Sequence, residues 1–286
     1  LRETSTNNNM IRHSLKKAYK YGPFAILNSN SRRIVLQRAF FSTSSEAGGE
    51  LLWQPKIERI ESSALTKFSK IASTRAGKDL SNYWDLHTWS IQDPSSFWDE
   101  TAAFVGVKWR TRGEQVCVLP EKGRMRGTQW FPGSTLNFAE NLMPANNDQT
   151  AIVSILETPD GGHQREEVSG AAVWAAAAAT AGALQRAGVG PGARVAGVLT
   201  NGPAALTAML GATALGAVWS SCSPDFGVNG IVDRLVQTRP EVVFFSEAYG
   251  YNGRWHDCRP LAAEVASRLP PGTRFVLVPA AGGGGG

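Results

Sequence analysis

The sequence predicts an α/β protein: a parallel sheet with helical crossovers, preceded by a small helical region rich in aromatic residues. Three observations carry this. From Thr150 onward, apolar runs of strand length alternate with segments of helical spacing. Gly and Pro stand at the boundaries between those segments, where they start and stop elements. The chain has 286 residues, 42% of them hydrophobic and 19% charged, which is ample for a buried core.

The N-terminal stretch is set apart by charge. Residues 10–45 hold Arg12, Lys16, Lys17, Lys20, Arg32, Arg33 and Arg38, with no Asp or Glu. Ile11, Leu15, Ala18 and Tyr19 fall at helical spacing beside a basic stripe, and "RRIVLQRAFFSTSS" follows, rich in Arg and Ser. This is transit-peptide composition. Arg38, Phe40 and Thr43 resemble a two-step processing signature, which places a mature start near Gly48. Leu1 is no initiator, so Met10 is the expected start. Residues 1–47 are therefore read as a mitochondrial targeting or disordered segment, with a matrix destination; a cytoplasmic protein with a basic tail is the alternative.

Beyond that segment the charge reverses. Residues 46–286 carry 21 basic and 23 acidic side chains, so the overall +5 belongs to the N-terminus. A folded body that is slightly acidic has no electrostatic footprint for nucleic acid. No apolar run reaches transmembrane length; "AAVWAAAAATAGAL" is short and mostly Ala. Cys117, Cys222 and Cys258 are too scattered for a disulfide framework, and His256 and Cys258 lack zinc spacing, so no metal site is expected.

Residues 48–147 form the expected helical region, with Trp53, Trp84, Trp89, Trp98, Trp109, Trp130 and Phe131 as core-filling aromatics. Asp93-Pro94-Ser95 should cap a helix containing Phe97 and Trp98. A turn at Pro132-Gly133 leads into another helix through residue 143. Residues 148–280 carry the alternating pattern. "TAIVSIL" reads as a buried strand, and Ser169 caps a helix stopped by Gly188. "ARVAGVLT" is the next strand, and Pro203 opens a helix stopped by Gly216. "AVWSSCS", "GVNGIVDRLVQT" and "EVVFFS" then supply a strand, a helix and a strand. Such crossovers place these strands in one parallel sheet. Residues 281–286 are a Gly-rich tail.

In a parallel α/β sheet, ligands bind at the carboxyl ends of the strands. "GVGPGARV" (188–195) runs from helix to strand, the wrong polarity for a dinucleotide cradle; "LTNGPAA" (199–205) has the right polarity but one glycine. No phosphate-binding loop, nucleophile elbow or histidine-partnered serine is present, so no catalytic residue is assigned. "SPDFGVNG" (223–230) remains. It offers backbone N–H groups at a helix start, Asp225 as a cap, and more glycine than a cap needs, which suggests backbone passing close to a ligand.

"WFPGSTLNFAENLM", "GARVAGVLTN", "AMLGATALGAVWSSCSPDFGVNGIVDRLVQTRPEVVFF" and "YNGRWH" together resemble the acetoacetyl-CoA synthetases of the adenylate-forming acyl-CoA synthetase superfamily, over roughly residues 50–280. The 219–234 segment is closer to the acetoacetate branch than to the acetate branch, which carries a Gly-Gly-Phe-Ser type loop there. The resemblance implies an acid–thiol ligase. ATP and a small carboxylate form an acyl-adenylate, and coenzyme A displaces AMP, with Mg2+ as the family's metal. It implies that Ser223, Pro224 and Asp225 border the coenzyme A channel and that Arg254 lies near the nucleotide phosphate. The family's Ser/Thr/Gly-rich ATP loop, Tyr-Gly-x-Thr-Glu motif, ribose-binding Asp and C-terminal Lys have no counterpart in this sequence; "YGYNG" (249–253) shares two letters with the second. The chain is thus expected to be the N-terminal part of a larger enzyme, inactive alone. Another short-chain acyl-CoA ligase and a non-catalytic coenzyme A-binding α/β module are the alternatives.

Overall fold

The computed structural model describes residues 52–120, 126–158 and 161–280. The expected targeting segment, residues 1–47, and the tail 281–286 lie outside them. The chain divides into two compact units, Leu1–Ile60 and Glu61–Gly286. In the first, the Arg59 guanidinium lies 5.8 Å from the centre of the Trp53 ring. The boundary falls within helix α1 (Ile57–Ser62).

The second unit opens with the helices α2 (Ala64–Ala76), α3 (Tyr83–Gln92) and α4 (Pro94–Phe104). Asp93 starts α4 as expected: its carboxylate accepts from Ser96 N at 3.0 Å, and Pro94 occupies the first turn, where its missing N–H costs nothing. That hydrogen bond holds the Asp93 carboxyl below the usual carboxylate range. Phe68, Leu80, Leu86 and Trp89 are buried between these helices, with Phe68 meeting Phe97 and Phe104 edge-on. The strands β1 (Cys117–Val118) and β2 (Gln129–Trp130) pair antiparallel, and α5 (Phe138–Leu142) follows the predicted turn, with Gly133 at φ +74°.

The strand β3 (Thr150–Glu157) departs from expectation. It pairs antiparallel with β4 (His163–Ser169) in a separate two-stranded sheet, and takes no place in the parallel sheet. Its burial alternates, with Val153 and Ile155 exposed; an apolar run alone does not distinguish a hairpin strand from a core strand. Ser169 caps α6 (Gly170–Arg186) by accepting from Ala172 N at 3.2 Å, and Gly188 (φ +82°) follows its end.

From here the chain winds as predicted: β5 (Arg194–Val198), α7 (Pro203–Ala214), β6 (Val218–Cys222), a 3-10 turn (Pro224–Phe226), α8 (Gly227–Thr238) and β7 (Val242–Ser246). A hairpin of β8 (Ala248–Tyr251) and β9 (Arg254–Asp257), then α9 (Arg259–Arg268) and β10 (Arg274–Val278), complete it. β10 is the sheet's fourth strand, in place of β3. The parallel order is β10-β7-β5-β6. Helices cover both faces. Ala196, Val198, Val243 and Phe245 meet Ile231 and Leu235 of α8 and Val265 of α9 on one side. Val195, Val242 and Phe244 meet Ala208 and Ala212 of α7 on the other. Gly197 makes room for the Trp219 ring, which a Cβ would approach to 2.7 Å.

Candidate functional site

Read from β6, the strand order is second, first, third, fourth in the chain. The order therefore reverses between β5 and β7, and a doubly wound sheet opens a crevice at such a point, beyond the carboxyl ends of its strands. A cleft of about 450 Å3 lies there. Leu199, Thr200 and Asn201 enter it after β5, Ser221–Ser223 and Asp225 from the end of β6, and Tyr249–Tyr251 from the hairpin after β7.

Ser223 and Asp225 line the cleft. Pro224 is buried at the start of the 3-10 turn and is absent from the lining. Asp225 does not cap the helix. The residue at the α8 N-cap position is Phe226, with no side-chain cap bond, and Asp225 stands exposed in the cleft lining. The 3-10 turn intervenes between strand and helix, so Asp225 sits one residue too early to reach the helix-start N–H groups.

The surplus glycine also has an internal explanation. Gly227 adopts φ +66° and ψ 169°, a conformation essentially reserved for glycine, and a Cβ there would meet nothing within 4 Å. Its role is to redirect the backbone. A Cβ at Gly230 would come within 3.3 Å of Phe226 Cβ, so Gly230 is packed against its own turn.

Arg254 stands on β9 as the cross-strand partner of Tyr251. Tyr249, Tyr251 and their partners His256 and Arg254 share one face of this hairpin, because direct partners point to the same side. Tyr249 and Tyr251 line the cleft, whereas Arg254 is exposed on the same face of the hairpin and absent from the lining. Tyr249 stacks on His256 at 4.9 Å between ring centres. Asn252-Gly253, both at positive φ, form the two-residue turn, and Asn252 N donates to Glu157 Oε2 at 2.7 Å. Gly250 lies so close to the Glu157 carbonyl that a Cβ would sit 2.5 Å from its oxygen.

Partial burial raises the Cys222 thiol above its ordinary value, partly offset by the Arg234 charge and reinforced by Asp225. Burial likewise raises the Tyr249 phenol. Both groups are neutral at pH 7, so Asp225 is the charged side chain of the cleft lining, and the Arg234 charge acts on Cys222 from outside it. Among the described residues no group of three His, Cys, Asp or Glu side chains is placed to hold a metal ion. No helix among them is long and apolar enough to cross a membrane.

Sequence reasoning had not assigned Thr200, Asn201, Cys222, Tyr249 and Tyr251 to the site. The signals were present: "LTNG" follows a strand with the right polarity, and Asn252-Gly253 is a hairpin turn that folds the "YGY" backbone toward the cleft.

Residues 140–277 match the family described as AMP-binding enzyme, and residues 83–142 match the acetyl-coenzyme A synthetase N-terminus. The acetoacetyl-CoA synthetase of Rattus norvegicus is 37% identical over 231 residues, covering 80% of this chain and 34% of that protein. That of Rhizobium meliloti is 34% identical over 81% of this chain and 34% of its own length. A malonamoyl-CoA synthetase of Penicillium aethiopicum is 32% identical over 85% of this chain and 34% of its own. The solved acetoacetyl-CoA synthetase from Streptomyces lividans superposes with a TM-score of 0.74 and 34% identity, over 83% of this chain and 36% of that one. The chain therefore spans about a third of the length of the relatives it matches. An acetyl-coenzyme A synthetase N-terminus match is thus followed directly by an AMP-binding enzyme match, and over about four fifths of its length the chain is similar to acetoacetyl-CoA synthetases.

Proposed function

We propose that this chain is the N-terminal part of an ATP-dependent acetoacetate–CoA ligase, with the cleft beyond β5, β6 and β7 as one wall of the coenzyme A channel. In this reading residues 48–147 are the N-terminal helical region and residues 148–280 the beginning of the adenylating domain. The identity to acetoacetyl-CoA synthetases of animals and bacteria over four fifths of the chain carries the assignment.

The residues present fit coenzyme A. Ser221 and Ser223 offer hydroxyl partners, Tyr249 and Tyr251 offer aromatic surface, and the cationic Arg254 is exposed on the same face of the hairpin as the two tyrosines. Asp225 repels phosphate from the inner part, so the fit is a neutral arm inside and an anionic nucleotide at the rim. The thiol would then displace AMP from the acyl group, a step that needs the activated acyl-adenylate because a bare carboxylate oxygen is a poor leaving group. No residue here is assigned to ATP or Mg2+: the sequence holds no Ser/Thr/Gly-rich ATP loop, and no metal cluster is formed among the described residues.

The test is the complete protein, assayed for acyl-CoA formation from ATP, coenzyme A and a panel of short carboxylates. Acetoacetate is the expected best substrate; a preference for acetate or malonamate would overturn the assignment. Arg254→Ala should raise KM for coenzyme A up to about fivefold, the loss of an exposed ion contact worth about 0.2–1 kcal/mol, with ATP–pyrophosphate exchange retained. An unchanged KM would make Arg254 an ordinary surface arginine.

The same reading extends to location. The basic, acid-free residues 10–45 support import into the mitochondrial matrix. A reporter fused to residues 10–50 should become mitochondrial, and a diffuse cytosolic signal would refute this.

A further inference from the structure

The turn that carries Ser223 and Asp225 into the cleft is anchored by the buried Pro224 at its start. At its far end the backbone bond from Phe226 N to Ser223 O is long, at 3.4 Å. Neither Ser223 nor Phe226 makes a side-chain cap bond, and Gly227 leaves the turn in a conformation that imposes no side-chain contact. Phe226 is 47% exposed, so burial does not anchor it.

Arg234, two helical turns further on, supplies what the turn lacks. Its guanidinium carbon lies 4.4 Å from the centre of the Phe226 ring, a cation–π contact. Its Nη1 donates to Gly230 O at 2.7 Å, which fixes the plane of the guanidinium over that ring. Gly230 closes the stack from beneath, because any Cβ there would press on Phe226. The first turn of α8 is tied separately, by Arg268 Nη1 donating to Asn229 Oδ1 at 2.8 Å. Arg268 therefore holds the helix, and Arg234 holds the turn that precedes it.

We infer that Arg234 is a positioning residue: through Phe226 and Gly230 it fixes the Pro224–Phe226 turn, and with it the Ser223 and Asp225 wall of the cleft. Its bearing on coenzyme A rests on the function proposed above. The guanidinium does not line the cleft. Its contacts are with Phe226 and Gly230.

Two measurements separate this inference from the functional reading. In the chain of residues 1–286, Arg234→Ala should speed amide hydrogen exchange at residues 226–230 about fivefold or more, from loss of the ring contact and the hydrogen bond together. Phe226→Leu should do the same, and the double variant should add little to either, as for two members of one contact. Unchanged exchange in Arg234→Ala would overturn the inference; should that variant not fold, Phe226→Leu decides it alone. In the complete protein, Arg234→Ala should raise KM for coenzyme A about threefold or more while KM for ATP stays put, a split that general loss of stability does not produce. Arg234→Lys keeps the charge but loses the planar donor fork, so it should rescue only in part. Full rescue by lysine would mean attraction of an anion by charge, and would overturn positioning. If the unsubstituted complete protein shows no coenzyme A-dependent turnover, the functional reading fails, and the exchange data still decide the role of Arg234.

Discussion

Gly170→Ala is expected to destabilise the second unit by about 3 kcal/mol, the upper end of the range for overpacking, and to lower Tm by about 6–12 °C. Helix propensity argues the opposite sign, because alanine in place of a helical glycine normally gains about 0.5–1 kcal/mol. Sterics decide here. A Cβ at Gly170 would lie 1.9 Å from Ala145 O, and 3.3 Å from Asn147 O. That neighbour is backbone, and it cannot retreat freely. Gly170 N donates to Gln149 O at 2.9 Å, Ala171 N to Asn147 O at 2.8 Å, and Trp174 Nε1 to Pro144 O at 2.9 Å. Moving the 144–149 segment away would strain all three bonds at once. Gly190→Ala is the matched control: its Cβ would meet nothing within 4 Å, and its φ lies outside the left-handed region, so Tm should move by little. Equal melting temperatures for Gly170→Ala and the parent would show that the segment yields more easily than its bonding implies.

Cys258 should carry about 100-fold less thiolate near pH 8 than a free cysteine, and should react with iodoacetamide correspondingly slowly. Two influences compete at this thiol. It sits at the start of α9, where a helix N-terminus favours the thiolate. It is also only 2% exposed, and burial prevails, pushing it from 9.0 up to about 11, with the neighbouring Asp257 adding to the rise. The sign of the linked stability follows. The unfolded thiol ionises above its ordinary value while the folded one resists, so this contribution is complete below pH 9 and is lost as pH rises through about 11. Peptide-resolved labelling in native buffer and in urea checks the rate; equal rates in both would refute the buried, neutral thiol. Cys258→Ala should flatten the alkaline fall in stability.

Local patterns were legible wherever one residue type answers one backbone need. Asp93 with Pro94, Ser169, Pro203, and the glycines at 188 and 216 mark helix ends in the sequence and mark them in the fold. The same logic failed at Asp225. Its cap assignment assumed that the helix begins directly after the strand, whereas a 3-10 turn consumes those residues. Strand partnership was less legible still. "TAIVSIL" and "RFVLV" are both short apolar runs, yet the first joins a hairpin and the second the parallel sheet. The choice depends on which partner can cover each face, and no short window of sequence contains that.

By itself, the sequence determined the α/β class, the helix ends marked by Asp93, Ser169, Pro203, Gly188 and Gly216, and the resemblance to the acetoacetyl-CoA synthetases, because each rests on local periodicity, caps and contiguous motifs. Only the tertiary structure decided that the strand order reverses between β5 and β7. It also brought residues 199–201, 221–223, 225 and 249–251 to one cleft, and set the exposed Arg234 against the Phe226 ring. The physical reason is distance along the chain. The cleft joins Leu199 to Tyr251, 52 residues along the chain, and their meeting is fixed by long-range strand pairing and by packing at glycines such as Gly250, where a single added methyl group would strike the Glu157 carbonyl.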